Sequence, residues 1–220
     1  MTYAPRLFHF LENLAQNNDR AWFAANRQEY DELRAFWIAD LQRLIDCMKE
    51  YEPAFRYLEA KECLYRIYRD TRFSPDKTPY KTYFSALISP TGRHCDRACY
   101  YFHQGADECA LYGGIWMPEG NVLKKLRKAI LDNLDEFNDI ISKPELQKYF
   151  PGWEGRKLKT APQGYDRNHP QIELLRLTEY GKAHYLKREF FDNPNWPEEA
   201  AKLFKLLKPL NDFINYSIDE

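Results

Sequence analysis

Long apolar runs are missing from this chain of 220 residues. No window approaches about 18 uninterrupted apolar residues, the length that a membrane-spanning helix needs. The first residues, "MTYAPRLFHFLENLAQNN", offer no cationic stretch followed by a clean apolar core. They do not read as a signal peptide, and a cytoplasmic protein is expected. Glycine is scarce, at nine residues, and methionine numbers three. Against that stand sixteen tyrosines, fourteen phenylalanines and five tryptophans, which argue for a packed core and against disorder. Neither sign of charge dominates: 32 Lys and Arg face 33 Asp and Glu, for a net charge of −1. With a pI of about 6.5 the chain is unlike the strongly basic domains that usually bind nucleic acid.

Several signatures are also absent. No G-x-x-x-x-G-K-[ST], G-x-G-x-x-G, G-x-S-x-G or H-E-x-x-H occurs, so the common nucleotide, dinucleotide, hydrolase and zincin patterns are excluded. No cofactor is expected. The five cysteines, Cys47, Cys63, Cys95, Cys99 and Cys109, are odd in number and show no paired framework, so they read as thiols. Cys95, Cys99 and His103 are spaced by four, with His94 and Cys109 close by, which on a helix would align metal ligands. "CYYFHQ" reads as a strand, however, where every fourth residue lies about 13 Å away. Zinc sites also favour closely spaced cysteine doublets. No metal is expected.

What is present organises into helices around a small sheet. Asn17, Asn18 and Asp19 supply cap-type residues before a long amphipathic run, with Trp22, Phe23, Asn26, Tyr30, Leu33, Trp37, Leu41, Leu44, Ile45 and Met48 at helical spacing. A shorter helix, Leu7 to Ala15, precedes it, and Pro53 limits it. Together they predict an N-terminal helical hairpin. After Pro53, "ECLYRIYRD", "YFSALISP", "ACYYFHQ" and "ECALYGGIW" read as strands of an antiparallel meander. Gly113 and Gly114 suggest a bulge or a close backbone approach. Further helices are predicted from Asn121, as cap, to Ile141, from Gln171 to Tyr180 after Pro170, and from near Pro197 to Ile218, with Pro209 as a kink or break. The expectation is one α+β domain over residues 1–220.

Counted by segment, the charge is far from even. Residues 61–81 hold six bases and three acids, and residues 157–188 hold seven and three, plus His169 and His184. Residues 12–52 hold nine acids and five bases, and residues 189–220 seven and three. The stretch "RIYRDTRFSPDKTPYK", Arg66 to Lys81, is the densest of these. As a strand, Tyr65, Ile67 and Arg69 would share one face and Arg66, Tyr68 and Asp70 the other. The Ser-Pro and Thr-Pro dipeptides then stiffen a loop that can present Arg72, Lys77 and Lys81. Guanidinium groups suit bidentate contact with phosphate or carboxylate, while lysine acts as a point charge. Singly, each of these cations is better explained structurally: Arg66 and Arg69 by pairing with Asp70, Asp76 or acids of the N-terminal helix, Lys77 and Lys81 as solvated surface. In "GRKLKTAPQGYDRNHPQIELLR", Lys159 adds charge, Tyr165 follows a turn glycine, and His169-Pro170 opens a short helix whose free N–H groups would favour an anion. His169 fits an acid or base near neutral pH, or a loop cap. Arg176 and Tyr165 fit packing and salt-bridge roles as well as a site.

Four blocks, "FLENLAQNNDRAWFAANRQEY", "YRIYRDTRFSPDKTPYKTYFSA", "YGGIWMPEGNVLKKLRKAI" and "LKTAPQGYDRNHPQIELLR", carry a resemblance. In that order they resemble the mainly bacterial family catalogued as domain of unknown function 2461. Gln163 departs from the family's pattern, which more often has lysine there. The resemblance implies a single compact domain and singles out the same two basic blocks. It implies no activity.

Three functions compete. The first is a site for a small phosphorylated or carboxylated ligand, on which a phosphoester reaction could follow. Arg66, Arg69, Arg72, Lys77, Lys81 and Lys159 would hold the anion, with Tyr165 and Arg176 nearby. Tyr80 and Trp116 would supply aromatic walls, and Asp70 or His169 the proton carrier. The second is nucleic-acid binding, with Tyr68, Phe73 and Tyr80 stacking on bases, which the overall charge disfavours. The third is a non-catalytic interaction protein whose cationic loop pairs with acidic helices of a partner or a second copy.

Overall fold

The computed structural model describes residues 2–220. The fold is α+β, with a four-stranded antiparallel sheet in the order β1-β2-β3-β4: Tyr83–Ile88, Cys99–Gly105, Cys109–Ile115 and Tyr180–Tyr185. By their internal contacts the residues fall into two compact units. One comprises residues up to 94 with 101–111 and 185–205, the other residues 95–100, 112–184 and 206–220.

In the first unit the predicted helical hairpin forms from α1 (Ala4–Gln16) and α3 (Arg27–Met48), with the single-turn-and-a-half α2 (Arg20–Ala25) between them. Asp19 caps α2 by accepting from the N–H groups of Ala21 and Trp22 at 2.8 and 2.9 Å. The expected long helix breaks at Asn26, which closes α2 and opens α3. From Tyr30 onward the predicted stripe is buried: Leu33, Trp37, Leu41, Leu44, Ile45 and Met48. Trp37 stacks on Phe102 of β2 at 5.7 Å and donates its indole N–H to Gln104 at 2.9 Å, so its polar atom is satisfied inside the core.

The strand expected over "ECLYRIYRD" does not form as such. Glu62 and Cys63 belong to the short helix α4 (Ala60–Cys63), and the residues after it pair with β1 and the chain before it through isolated bridges, Leu64 with Ala86 and Tyr68 with Tyr80. The alternation of aromatic and charged residues suited a strand, but Glu59 and Glu62 form a capping box that winds the first turn into helix.

The second unit has its own core, built from Ile115, Leu123, Leu126, Ile130, Phe137, Leu177, Tyr180, Leu210, Phe213 and Ile214. The predicted helix over 121–141 is two helices, α5 (Gly120–Asp132) and α6 (Leu134–Ile141), parted at Asn133, and the N-cap is Glu119, not Asn121. An additional short helix, α7 (Pro144–Tyr149), follows. The helix expected over 171–180 shrinks to α8 (Ile172–Leu175), because Tyr180 opens strand β4. The final helix, α9 (Trp196–Asp219), runs through Pro209 without a break, with Leu207 and Leu210 buried on either side of it. Gly113 and Gly114 mark the expected close approach. At Gly114, φ is 114° and a Cβ would collide with the Tyr180 carbonyl oxygen, while at Gly113 it would press on Leu207.

Candidate functional site

The cationic stretch folds back on itself. Tyr65 N–H donates to Ser85 O at 3.1 Å, Lys81 N–H to Ile67 O at 2.8 Å, and Arg69 N–H to Pro79 O at 2.9 Å. Between the first two of these bonds one segment advances by two residues and the other by four. The surplus is absorbed at Thr82 to Phe84, an irregularity that re-aims side chains as bulges do. Here Ile67 and Tyr80 turn inward, with Tyr80 stacked on Phe23 at 4.1 Å, while Lys81, Thr82 and Tyr83 line an open cavity.

Residues 70–78 form a loop tied off at its base by Arg69. Its guanidinium donates to the Asp76 carboxylate and the Thr78 hydroxyl, and more weakly to the Thr78 carbonyl at 3.3 Å and the Ser74 hydroxyl at 3.5 Å. Asp76 also accepts from the N–H and hydroxyl of Thr78, both at 2.9 Å. Arg72 chelates Asp70 through two side-chain bonds at 3.0 and 2.7 Å. Lys77 donates to Thr71 O at 2.9 Å. These contacts hold both carboxylates ionised. The Arg72 guanidinium pulls the Asp70 pKa to about 2, and the Thr78 N–H followed by Arg69 does the same for Asp76. Arg69, Arg72 and Lys77, all expected to grip a ligand, are therefore engaged within the loop.

Lys81 is not. Together with Arg69, Asp70, Tyr80, Thr82 and Tyr83 it lines a cavity of about 410 Å³. Its ammonium is half-buried, 5.1 Å from the Tyr65 ring and 5.7 Å from the Tyr83 ring, and has no carboxylate partner among the described residues. Burial, and then the charge of Arg66, lower its pKa. Arg66 itself is exposed and acts on both Lys81 and Asp70.

Behind Tyr83 stands a histidine that the sequence offered only as a metal ligand. The His103 ring lies 4.3 Å from that of Tyr83, and its Nδ1 is 3.2 Å from the Tyr101 hydroxyl. Burial lowers its pKa, the nearby Glu108 opposes that, and Lys81 reinforces it. What the sequence could have shown is strand parity: Tyr101 and His103 share one face of β2, and Lys81 and Tyr83 share one face of the neighbouring segment.

The other expected residues belong to the second unit. Trp116 and Lys159 are exposed. Arg176 donates to Leu158 O at 2.6 Å and to Glu173 at 2.8 Å, and Lys157 reaches the same Glu173 at 3.2 Å. Tyr165 closes a turn by donating its N–H to Pro162 O at 3.2 Å. His169 is a turn cap: its Nδ1 accepts from Gln171 N–H at 3.0 Å, and its carbonyl accepts from Ile172. Of the N–H groups expected to be free at this helix start, those of Gln171 and Ile172 are thus taken. Lys182, which the sequence did not single out, is buried and donates to the carbonyls of Phe150 and Gly152 at 3.1 and 2.6 Å, with the Trp153 ring 4.6 Å away.

No curated protein and no solved structure matches the chain. A family model does, described as a conserved hypothetical protein, and it runs through both basic blocks and the helices and strands around them. With residues 6–213 matched, the chain belongs to the DUF2461 family.

Proposed function

We propose that the protein binds a small phosphorylated or carboxylated ligand in the cavity between Arg69 and Tyr83. The observation that carries this reading is Lys81: a half-buried ammonium that lines a cavity and forms no salt bridge among the described residues. Burying a charge without a partner is costly, and a ligand anion would remove that cost. Arg66 adds a second positive charge within electrostatic reach. Asp70, kept ionised by Arg72, repels a second negative group on its side and suits a ligand hydroxyl. The ligand so described has one anionic end, toward Lys81, and a neutral polar end. Tyr80 and Tyr83 provide its walls, in place of Trp116.

The test is a thermal-shift series with phosphate, pyrophosphate, sugar phosphates, nucleotides and dicarboxylates at matched ionic strength. A ligand at a hundred times its Kd adds ~2.7 kcal/mol, a rise of about 5–10 °C for a chain of this size. Loss of the rise in Lys81→Met, and its retention in Arg72→Ala, is the expected result. No rise with any anion rejects the reading.

A second reading rests on Phe73, which is 93% exposed beside Arg72, and on Tyr68, 46% exposed. Such rings serve as stacking platforms for single-stranded nucleic acid. Binding of an oligonucleotide that weakens steeply with salt would favour it.

A further inference from the structure

Most lysines of a folded protein are solvated ammonium groups or ion-pair partners. Lys77, exposed and bonded to Thr71 O, is of that kind. Lys182 is buried, but both of its hydrogen bonds go to backbone carbonyls, and it does not line the cavity at Lys81. Lys81 combines three features: an open cavity beside it, partial burial between two tyrosine rings, and a neighbouring cation in Arg66, with no salt bridge to Lys81 itself among the described residues. Desolvation and an adjacent positive charge are the two means by which proteins turn lysine into a nucleophile.

We infer that Lys81 is a carbonyl-reactive amine that condenses, inside this cavity, with an aldehyde or ketone also bearing a phosphate or carboxylate. The inference rests on the anion reading and adds the reacting group of the ligand. The lowered pKa of Lys81 raises the fraction present as free amine. In the step, the nitrogen lone pair forms a bond to the carbonyl carbon while the carbon–oxygen π bond breaks; the oxygen takes a proton from water, and the nitrogen gives one of its protons to the hydroxide so formed. The resulting carbinolamine loses hydroxide, which leaves as water after protonation, to give a protonated imine. One water is released and nothing is oxidised or reduced. The protonated imine keeps positive charge at Nζ, so the ligand's anion still faces two cations, Nζ and Arg66. Asp70 does not supply a proton here, because Arg72 keeps it ionised. It lines the same cavity and repels a misplaced anion.

The experiment uses the full-length protein with glyoxylate or glycolaldehyde phosphate, neutral glycolaldehyde as control, cyanoborohydride to trap imines, and peptide mass spectrometry to locate them. The expected result is that Lys81 is labelled about tenfold faster than its exposed neighbour Lys77 by the two anionic aldehydes. Arg66→Ala should reduce that preference, and neutral glycolaldehyde should show little of it. Labelling of Lys81 no faster than Lys77 overturns the inference. A parallel thermal-shift titration with phosphate separates the two ideas. A phosphate-induced rise without preferential labelling removes the imine and leaves the anion site, whereas neither a rise nor labelling removes both. Lys81→Arg should keep the rise and abolish the labelling at this position.

Discussion

Arg69 and Asp76 clasp the two ends of the 70–78 loop, with Thr78 bonded to both. A cluster of cations that looks from the sequence like a grip on a ligand is in large part a device that shapes its own loop. Asp70 and Lys81 line the same cavity, and Lys81, unlike Arg69 and Arg72, forms no salt bridge among the described residues.

If that is the role of Arg69, its loss should affect the fold before it affects affinity. Arg69→Ala removes a partly buried guanidinium with several acceptors, and we expect a loss of about 1.5–3 kcal/mol of stability. Arg72→Ala breaks an exposed pair and should cost clearly less than Arg69→Ala. Urea denaturation of both variants checks the ordering. Equal losses would mean that Arg69 is not the clasp.

The pH dependence of the loop has a definite sign. Asp70 and Asp76 have folded pKa values of about 2, below the ordinary 3.8, so their contribution is present above about pH 4 and fades as the pH falls toward 2. Phe73, exposed within the loop, is then a reporter. Pepsin should cut there increasingly as the pH drops through that window, and Asp76→Asn should be cut readily at its upper end. Cleavage that is flat across the window in the wild type would contradict the clasp.

Much of this architecture was legible in the sequence, for stated reasons. The α3 stripe from Tyr30 to Met48 and the strands at Tyr83, Cys99 and Cys109 follow from periodicity alone. Strand β4 did not, because "YGKAHY" places a buried lysine and a glycine where a strand pattern calls for apolar residues. The site was half legible. Counting charges pointed to the segment that lines the cavity, but a count cannot tell an arginine paired within its own loop from a lysine that is not. That distinction depends on the register shift at Thr82 to Phe84, which no local pattern announces. His103 was visible only as a spacing from cysteines, and its contact with Tyr83 is tertiary.

Gly114 tests the β3–β4 approach. Its φ of 114° is unfavourable for any side chain, and a Cβ would also strike the Tyr180 carbonyl. Gly114→Ala should cost about 3 kcal/mol or more, since backbone strain and overpacking combine. Gly164, at φ 89° with open space around it, should cost only about 1–2 kcal/mol when changed to Ala. Thermal unfolding of the two variants measures the contrast, and similar shifts would mean that β4 can move away from Gly114 at little cost.

Lys182 offers the reverse sign of pH dependence. Burial lowers its pKa from 10.5 to about 8, so between those values the unfolded chain holds a proton that the folded chain has released. Stability from this group therefore rises with pH across that window, by an amount on the order of 3 kcal/mol. The neutral amine still has two hydrogens for the carbonyls of Phe150 and Gly152, so deprotonation removes the desolvation cost without removing both contacts. Denaturation of wild type and Lys182→Met at a series of pH values isolates the effect, because other titrating groups cancel in the difference. The wild type should gain on the variant as the pH climbs from 8 toward 10. A constant difference would mean that Lys182 titrates as it does in the unfolded chain, and that its carbonyl cage fully offsets its burial.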